Sequence, residues 1–316
     1  MSQQPKILCI VGPTACGKTT LGILLAKQYN GEVVSVDSMQ IYRGMTIGTA
    51  APTEAEMDGV PHHMVAIAEP EENWSVARFV EEADKCIQDI LSRDKLPILV
   101  GGTGLYLDAI IAGRSFAAGH TGSEVRETLE RRLAENGIQP LLDELRTVDP
   151  DSAERIPIAD EKRILRALEV YLETGKTITQ HNLESQSIPK KYHPIFIGLT
   201  FQDRADMRAL IDKRVDLMVQ QGLVGEMDAL LQRGIPRTCT AFQAIGYKEL
   251  LAAYSGEVSM EDAIEEIKLR SRQYAKRQLT WLRRNDAIHW IRWEKERDFS
   301  LAVRLSTNFL ALEGLQ

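Results

Sequence analysis

The sequence predicts an α/β protein in which a parallel sheet flanked by helices is interrupted by an inserted, all-helical domain. Between residues 6 and 115, short apolar runs of strand length alternate with helical patterns, as strands and crossover helices do in a parallel sheet. From Glu124 to about Ser187 the pattern is helical throughout. His193-Pro194-Ile195-Phe196-Ile197-Gly198-Leu199 then returns to strand character.

Taken in order, Ile7–Val11, Val33–Val36 and Pro97–Val100 read as strands, with helices near residues 18 to 29 and 75 to 92 between them. The glycine-bearing stretch Gly113 to Gly122 breaks this alternation. The amphipathic pieces Glu124–Glu135, Pro140–Thr147 and Asp160–Glu173 follow, separated by Asn136-Gly137, Asp149-Pro150 and Gly175. After the strand at 193–199 the chain reads as mostly helical to Asn285, and Ile288–Trp293 reads as a last strand. The expected division is residues 1–117 with 194–316 as the α/β core and its C-terminal helical region, and residues 118–193 as the insert.

Composition narrows the class. At 316 residues, 44% hydrophobic and 26% charged, the chain lies in the globular range and can bury two modest cores. No apolar run approaches the roughly 20 residues a bilayer span needs, so no membrane association is expected. Met1 to Lys6 lead straight into a strand, leaving no room for a cleavable signal, and a cytoplasmic location is expected. Cys9, Cys16, Cys86 and Cys239 are scattered without a Cys-x-x-Cys pair, which argues against a disulfide framework or a zinc site. With a net charge of −7, any nucleic acid must be held by a local basic surface.

Gly12-Pro13-Thr14-Ala15-Cys16-Gly17-Lys18-Thr19 fits G-x-x-x-x-G-K-[ST] and lies between a strand and a helix, the context that pattern requires. Loop N–H groups and the helix N-terminus face a diphosphate, Lys18 adds a point charge, and the Thr19 hydroxyl is offered to Mg²⁺. The fold expected is thus of the P-loop NTPase type. The motif does not choose among ATP, GTP, a nucleotide substrate and a non-nucleotide diphosphate, all of which it would grip alike.

After the second strand come Asp37-Ser38-Met39-Gln40-Ile41-Tyr42-Arg43-Gly44 and Gly59-Val60-Pro61-His62-His63. At the carboxyl end of a parallel strand, Asp37 would face the ligand crevice, where it can hold Mg²⁺, accept a proton or merely cap the next turn. Adjacent histidines point to opposite sides of a strand, so His62 and His63 read as structural and not as a metal pair. Trp290 and Trp293 read as core.

With Gly101-Gly102-Thr103-Gly104-Leu105-Tyr106, Arg163–Val170, Gln243–Glu249 and Tyr274–Trp281, these segments resemble, in order, the motifs of the tRNA dimethylallyltransferase (tRNA isopentenyltransferase) family over roughly residues 7 to 284. The resemblance implies transfer of a dimethylallyl group from dimethylallyl diphosphate to N6 of the adenosine just 3′ of the anticodon, with Mg²⁺ as cofactor. It implies that the loop from Gly12 to Thr19 holds the diphosphate, that Asp37 is the general base, and that Lys18 and Thr19 serve catalysis. It further implies that Asp37, Ser38, Met39, Gln40, Thr103, Arg126, Arg163, Arg166, Gln243, Gly246, Lys248, Arg272, Lys276 and Arg277 approach the tRNA. One departure stands out: the family pattern Arg-Ile-x-x-Arg is here Leu210-Ile211-Asp212-Lys213-Arg214, so Arg214 is expected on the diphosphate while Arg208, two residues from Leu210, would point elsewhere.

Between Lys268 and Arg284 stand Lys268, Arg270, Arg272, Lys276, Arg277, Arg283 and Arg284 with no acidic residue, and Arg270, Arg277 and Arg284 recur every seven positions, as on one helix face. Either this is the RNA surface, anchored by Tyr274 and Trp281, or a solvated face satisfied by the acidic stretch Glu257 to Glu266. Single bases are enclosed most cheaply from RNA loops, so the anticodon stem-loop is the expected partner, clamped between core and insert by a monomer. The rival readings are a nucleotide or small-molecule kinase using the same loop, an RNA-binding switch without prenyl chemistry, and a prenyltransferase acting on free AMP or ADP.

Overall fold

The computed structural model describes residues 4–113, 124–187 and 189–315. The core unit begins with strand β1 (Lys6–Val11), helix α1 (Lys18–Gln28) and β2 (Gly31–Val36), followed by short helices α2 (Thr46–Thr49) and α3 (Glu54–Met57) and a two-residue strand β3 (His62–His63). Helix α4 (Val76–Ser92), β4 (Leu96–Gly101) and α5 (Gly104–Ala112) complete the first half. After the insert come β5 (His193–Phe201), α11 (Arg204–Gln220), α12 (Leu223–Gln232), α13 (Tyr247–Tyr254), α14 (Met260–Leu282), β6 (Ile288–Trp293) and α15 (Phe299–Leu312).

The six strands form one all-parallel sheet in the order β3-β2-β4-β1-β5-β6. The central strands are buried on both faces, which is why Ile7–Val11 and Ile98–Leu99 read as continuous apolar runs and not as alternating ones. Side-chain caps begin the helices that flank it: Ser75, Asp203, Ser259 and Asp298 each accept a backbone N–H at the first turn of α4, α11, α14 and α15. Helix α15, which follows the last expected strand, packs against α1 and buries Ala302 and Leu310 in the main core.

The insert, which packs as a second unit, runs over α6 (Glu124–Asn136), α7 (Gln139–Val148), α8 (Pro150–Arg155), α9 (Glu161–Thr174) and α10 (Ile178–Ser187). Its own core is built by Leu129, Leu141, Leu145, Ile164, Leu165 and Leu168. This unit spans Ala112–Lys191, so it opens at 112 and not 118, and closes at 191 and not 193. Tyr192 is core because its buried ring is tied to α4, the hydroxyl donating to Asp84 Oδ1 at 2.6 Å and accepting from Gln88 Nε2 at 2.6 Å. His193 follows as the first residue of β5, paired with Lys6. Position 118 and most of the glycine-bearing stretch lie outside the described residues. Among those residues no helix is long and apolar enough to cross a membrane, and all four cysteines are free thiols.

Candidate active site

The loop between β1 and α1 has the backbone its sequence demands. Gly12 (φ 151°) passes so close to β5 that a Cβ there would lie 2.3 Å from the Leu199 carbonyl oxygen, and Gly17 caps α1 in the left-handed region. Elements distant in sequence brace it. The Thr14 N–H donates to Gln278 Oε1 of α14 at 2.9 Å, and Trp293 Nε1 of β6 donates to the Cys16 carbonyl at 2.8 Å. Lys18 folds back to donate to the Pro13 carbonyl at 2.7 Å. Burial pushes the Lys18 ammonium below its ordinary range, with Arg214 adding to the effect and Asp37 opposing it. Burial also pushes the Cys16 thiol up, so it is a packing group and not a nucleophile.

The loop opens on a cavity of about 1140 Å³, lined among others by Lys18, Thr19, Asp37, Arg214 and Tyr274, all from the core unit. Small-ligand sites usually measure about 300–1,000 Å³, so this one has room for a short-chain diphosphate and a second planar group together. Asp37 lies just past the carboxyl end of β2. Its Oδ1 accepts the Met39 N–H at 2.9 Å, while Oδ2 has no hydrogen bond among the described residues. The turn-capping and the reactive reading of Asp37 are therefore compatible. Around it stand two phenols held neutral: burial, then neighbouring groups including Asp37, pushes Tyr106 up to about 12 and Tyr274 upward as well.

Of the two arginines weighed on α11, the structure places Arg214 in the cavity wall beside Leu210 and Lys213, and leaves Arg208 exposed and outside it. Burial lowers the Arg214 pKa first, with Asp37 pulling the other way, and no carboxylate pairs with it among the described residues.

The residues expected near RNA divide sharply. Ser38 and Met39 are half-buried. Gln40 is a brace: Oε1 accepts from Ser35 Oγ at 2.8 Å, and Nε2 donates to the Ala50 carbonyl at 3.1 Å, fixing the turn after α2. Thr103 Oγ1 is buried beside Tyr274 without a well-formed hydrogen bond. Gln243 and Lys248 are exposed, whereas Gly246 is buried and its N–H is held by Glu249. Tyr247, between them, is fully buried and donates to Glu226 Oε1 at 2.5 Å. The Glu226 carboxylate also accepts the N–H groups of Thr46, Ile47 and Gly48 at 2.7, 2.8 and 3.0 Å, so it caps α2, which lines the cavity.

On α14, Arg272 is tied to Asp212 of α11 at 2.5 Å, Arg270 to Glu266 at 2.6 Å, and Lys268 to Asp216 and Glu265. The acidic stretch thus does satisfy part of this basic run. Lys276, Arg277, Arg283 and Arg284 have no carboxylate partner among the described residues. The helix ends at Leu282, so Arg284 leaves the expected seven-residue face and instead lies over Trp281, 5.5 Å from its ring centroid. Gln273, Lys276, Arg277, Thr280, Trp281 and Arg284 together line a shallow open depression. In the insert, Arg166 and Arg126 both approach the buried Glu169, at 2.9 and 3.9 Å, while Arg163 is largely exposed beside Asp160.

The expected structural role of the two histidines holds for His63, which meets Glu32 Oε2 at 2.8 Å; His62 bonds the Val60 carbonyl and lines the cavity. Trp293 is buried in the core and Trp290 packs against it. Sequence reasoning gave no role to Tyr106 and Gln278, although both stand in the motifs quoted above, and did not single out Glu226 or Arg297, which also lines the cavity. Each acts across a gap in sequence that no local pattern spans.

A family model described as IPP transferase matches residues 40–285, and one described as Isopentenyl transferase matches residues 5–66. A tRNA dimethylallyltransferase of Acetivibrio thermocellus is 43% identical over 98% of both chains, and one of Bacillus mycoides is 46% identical over 91% of this chain and 90% of its own. Among solved structures, the tRNA isopentenylpyrophosphate transferase of Bacillus halodurans matches with a TM-score of 0.73 at 42% identity, covering 98% of this chain and 96% of that one. A eukaryotic dimethylallyltransferase acting on tRNA matches with a TM-score of 0.82 at 30% identity, covering 97% and 80%. With a parallel sheet bearing a phosphate loop, an acidic residue facing that loop, and relatives matched nearly end to end, the chain belongs to the tRNA dimethylallyltransferase family.

Proposed function

We propose that the chain transfers the dimethylallyl group of dimethylallyl diphosphate to N6 of the adenosine immediately 3′ of the tRNA anticodon, releasing diphosphate. The observation that carries the reading is the shared cavity: the Asp37 carboxylate, with Oδ2 unpartnered among the described residues, faces the same space as Lys18 and Thr19. An adenine amine is a poor nucleophile because its lone pair is delocalised into the ring. Asp37 takes the N6 proton as the N–C bond forms and the allylic C–O bond breaks, a contribution on the order of 10² to 10⁴ in rate. The electron pair leaves on the diphosphate, whose growing charge meets Lys18, Arg214 and the loop N–H groups.

Mg²⁺ fits this donor set. Among the described residues no cluster of three or more His, Cys, Asp or Glu could hold a metal by itself. Thr19 lines the cavity, an arrangement suited to an ion that keeps its waters and binds mainly to substrate phosphates. When bound, the ion would neutralise leaving-group charge.

For the acceptor, Lys276 and Arg277 of α14, without a carboxylate partner among the described residues, would supply phosphate contacts next to the stacking surfaces of Tyr274 and Trp281, and the buried Thr103 hydroxyl beside Tyr274 is read as a contact to the inserted base. The four free thiols suit a cytoplasmic setting. Incubation with dimethylallyl diphosphate, Mg²⁺ and either unmodified tRNA or AMP, scored by mass, tests the reading. Mass gain on tRNA alone is expected; gain on AMP in preference to tRNA would overturn the assignment of the acceptor.

A further inference from the structure

The cavity contains a second guanidinium that neither the phosphate-loop motif nor α11 supplies. Arg297 sits in the link between β6 and α15, near the far end of the chain, yet it lines the same cavity as Lys18, Thr19 and Arg214. Its position is built. Trp293 donates to the Cys16 carbonyl of the loop, and the Phe299 ring packs edge-on to Trp293 at 5.4 Å between centroids. Phe299 in turn presses on Gly17, where an added Cβ would lie 2.8 Å from its Cζ and 3.4 Å from Arg297 Cδ. The Arg297 guanidinium lies 5.9 Å from the Phe299 ring centroid, and Nη1 reaches the Ala15 carbonyl at 3.5 Å, a weak contact at the hydrogen-bond limit.

What Arg297 lacks is an anion. Glu294, Glu296 and Asp298 are its neighbours in sequence, but among the described residues it pairs with no carboxylate, and neither does Arg214. Arg297 contributes to lowering the Arg214 pKa, as one cation near another does. None of the cavity-wall carboxylates pairs with either guanidinium among the described residues: Glu56 caps the Thr53 turn, Asp58 pairs with Lys27, and Asp37 caps its own turn through Oδ1, so that Asp37 and Glu56 act on Arg214 only through their charge. Leu210, on the α11 wall beside Arg214, offers no charge. Two unpaired guanidiniums and an ammonium converging on a phosphate loop are an unfavourable set until a multiply charged anion enters.

We propose that Arg297 is a diphosphate-binding residue, closing the phosphate loop from the C-terminal side and holding the donor's diphosphate opposite Arg214. The proposal rests on the reading of the cavity as the donor site, but inorganic diphosphate tests it without turnover. Arg297 is exposed and outside regular structure, so substitution leaves the fold intact.

The experiment compares wild type, Arg297→Ala and Arg297→Gln by calorimetric titration with inorganic diphosphate and Mg²⁺ at several salt concentrations, together with steady-state kinetics. Loss of one charge-assisted contact should weaken diphosphate binding about 10-fold or more, with a shallower salt dependence. KM for the donor should rise while KM for tRNA stays within about twofold, the electrostatic field at α14 being untouched. Glutamine removes the charge but keeps a polar amide along part of the arginine's length, so a role that does not depend on the charge would survive in it. Wild-type diphosphate affinity and salt dependence in Arg297→Gln would overturn the proposal. A wild-type chain that binds diphosphate but prenylates no acceptor would overturn the proposed function and leave Arg297 standing.

Discussion

Asp37 shows how one side chain serves two demands. Oδ1 fixes the turn after β2 by accepting the Met39 N–H, and the residue lines the cavity onto which the phosphate loop opens. Asparagine keeps an oxygen for the turn but cannot take a proton at the other position. Asp37→Asn is therefore expected to lower kcat by roughly 10² to 10⁴ while KM for the donor changes by no more than a few fold. Steady-state kinetics with saturating tRNA decide it; a kcat within tenfold of wild type would remove Asp37 from the role of base. Gln278 is the corresponding case on the loop side, a 6% exposed amide that replaces water at the Thr14 N–H. Neither its burial nor its partner 264 positions away is visible in the local sequence, whereas G-x-x-x-x-G-K-[ST] could be read directly because its defining residues lie within eight consecutive positions, although the contacts that brace the loop come from far along the chain.

At the scale of elements, the parallel strands were legible because burial on both faces leaves unbroken apolar runs, and the amphipathic helices because their period is local. The edge strand β3 is two residues long and leaves no such trace, and α15 escaped because nothing in the sequence marked where the sheet ended. Helix α2 is too short to hold itself and depends on Glu226, whose carboxylate accepts three of its N–H groups and the Tyr247 hydroxyl. Glu226→Ala should cost about 2 kcal/mol, or roughly 4–8 °C in the core's melting transition. kcat/KM should also fall at temperatures where the core remains folded, because α2 lines the cavity. Unchanged kcat/KM there would reduce Glu226 to a stability device.

The sheet edge carries a second such device. Glu32 of β2 is buried against Arg93, Lys95 and His63, and hydrogen bonds from Arg93 first, opposed by burial, hold its carboxyl far below the usual range. A depressed folded pKa stabilises the chain above the unfolded value of about 4.3 and loses that contribution as pH falls toward the folded one. Because Arg93 and Lys95 remain partly solvated, Glu32→Gln should cost only about 2 kcal/mol at pH 7. In melting curves from pH 7 to 3, the gap between wild type and variant should be constant above about pH 5 and narrow below pH 4. A gap that does not change with pH would mean the effect is packing alone.

For the whole molecule, the problem is how a chain of net charge −7 holds a polyanion. The structure answers with a division along α14 that charge counting does not reveal. Lys268, Arg270 and Arg272 are spent on carboxylates of α11 and of α14 itself, whereas Lys276 and Arg277 stand unpaired among the described residues next to Tyr274 and Trp281. The same helix turns Gln278 inward onto the phosphate loop, so the surface read as the tRNA grip and the donor site are two sides of one element. A cation that contacts phosphate releases counterions on binding, contributing about 0.7 to 0.9 to the slope of log affinity against log salt. Lys276→Ala and Arg277→Ala should each weaken tRNA binding and flatten that slope by about this amount. Arg272→Ala, which breaks the ion pair with Asp212 between α11 and α14, should instead lower the melting temperature and leave the slope unchanged. Filter-binding titrations from 50 to 200 mM salt on the three variants, about the range over which such contacts are felt, separate the two classes. If Arg272→Ala flattens the slope as much as Arg277→Ala does, the Asp212 pair opens when RNA arrives, and the whole basic run belongs to the grip.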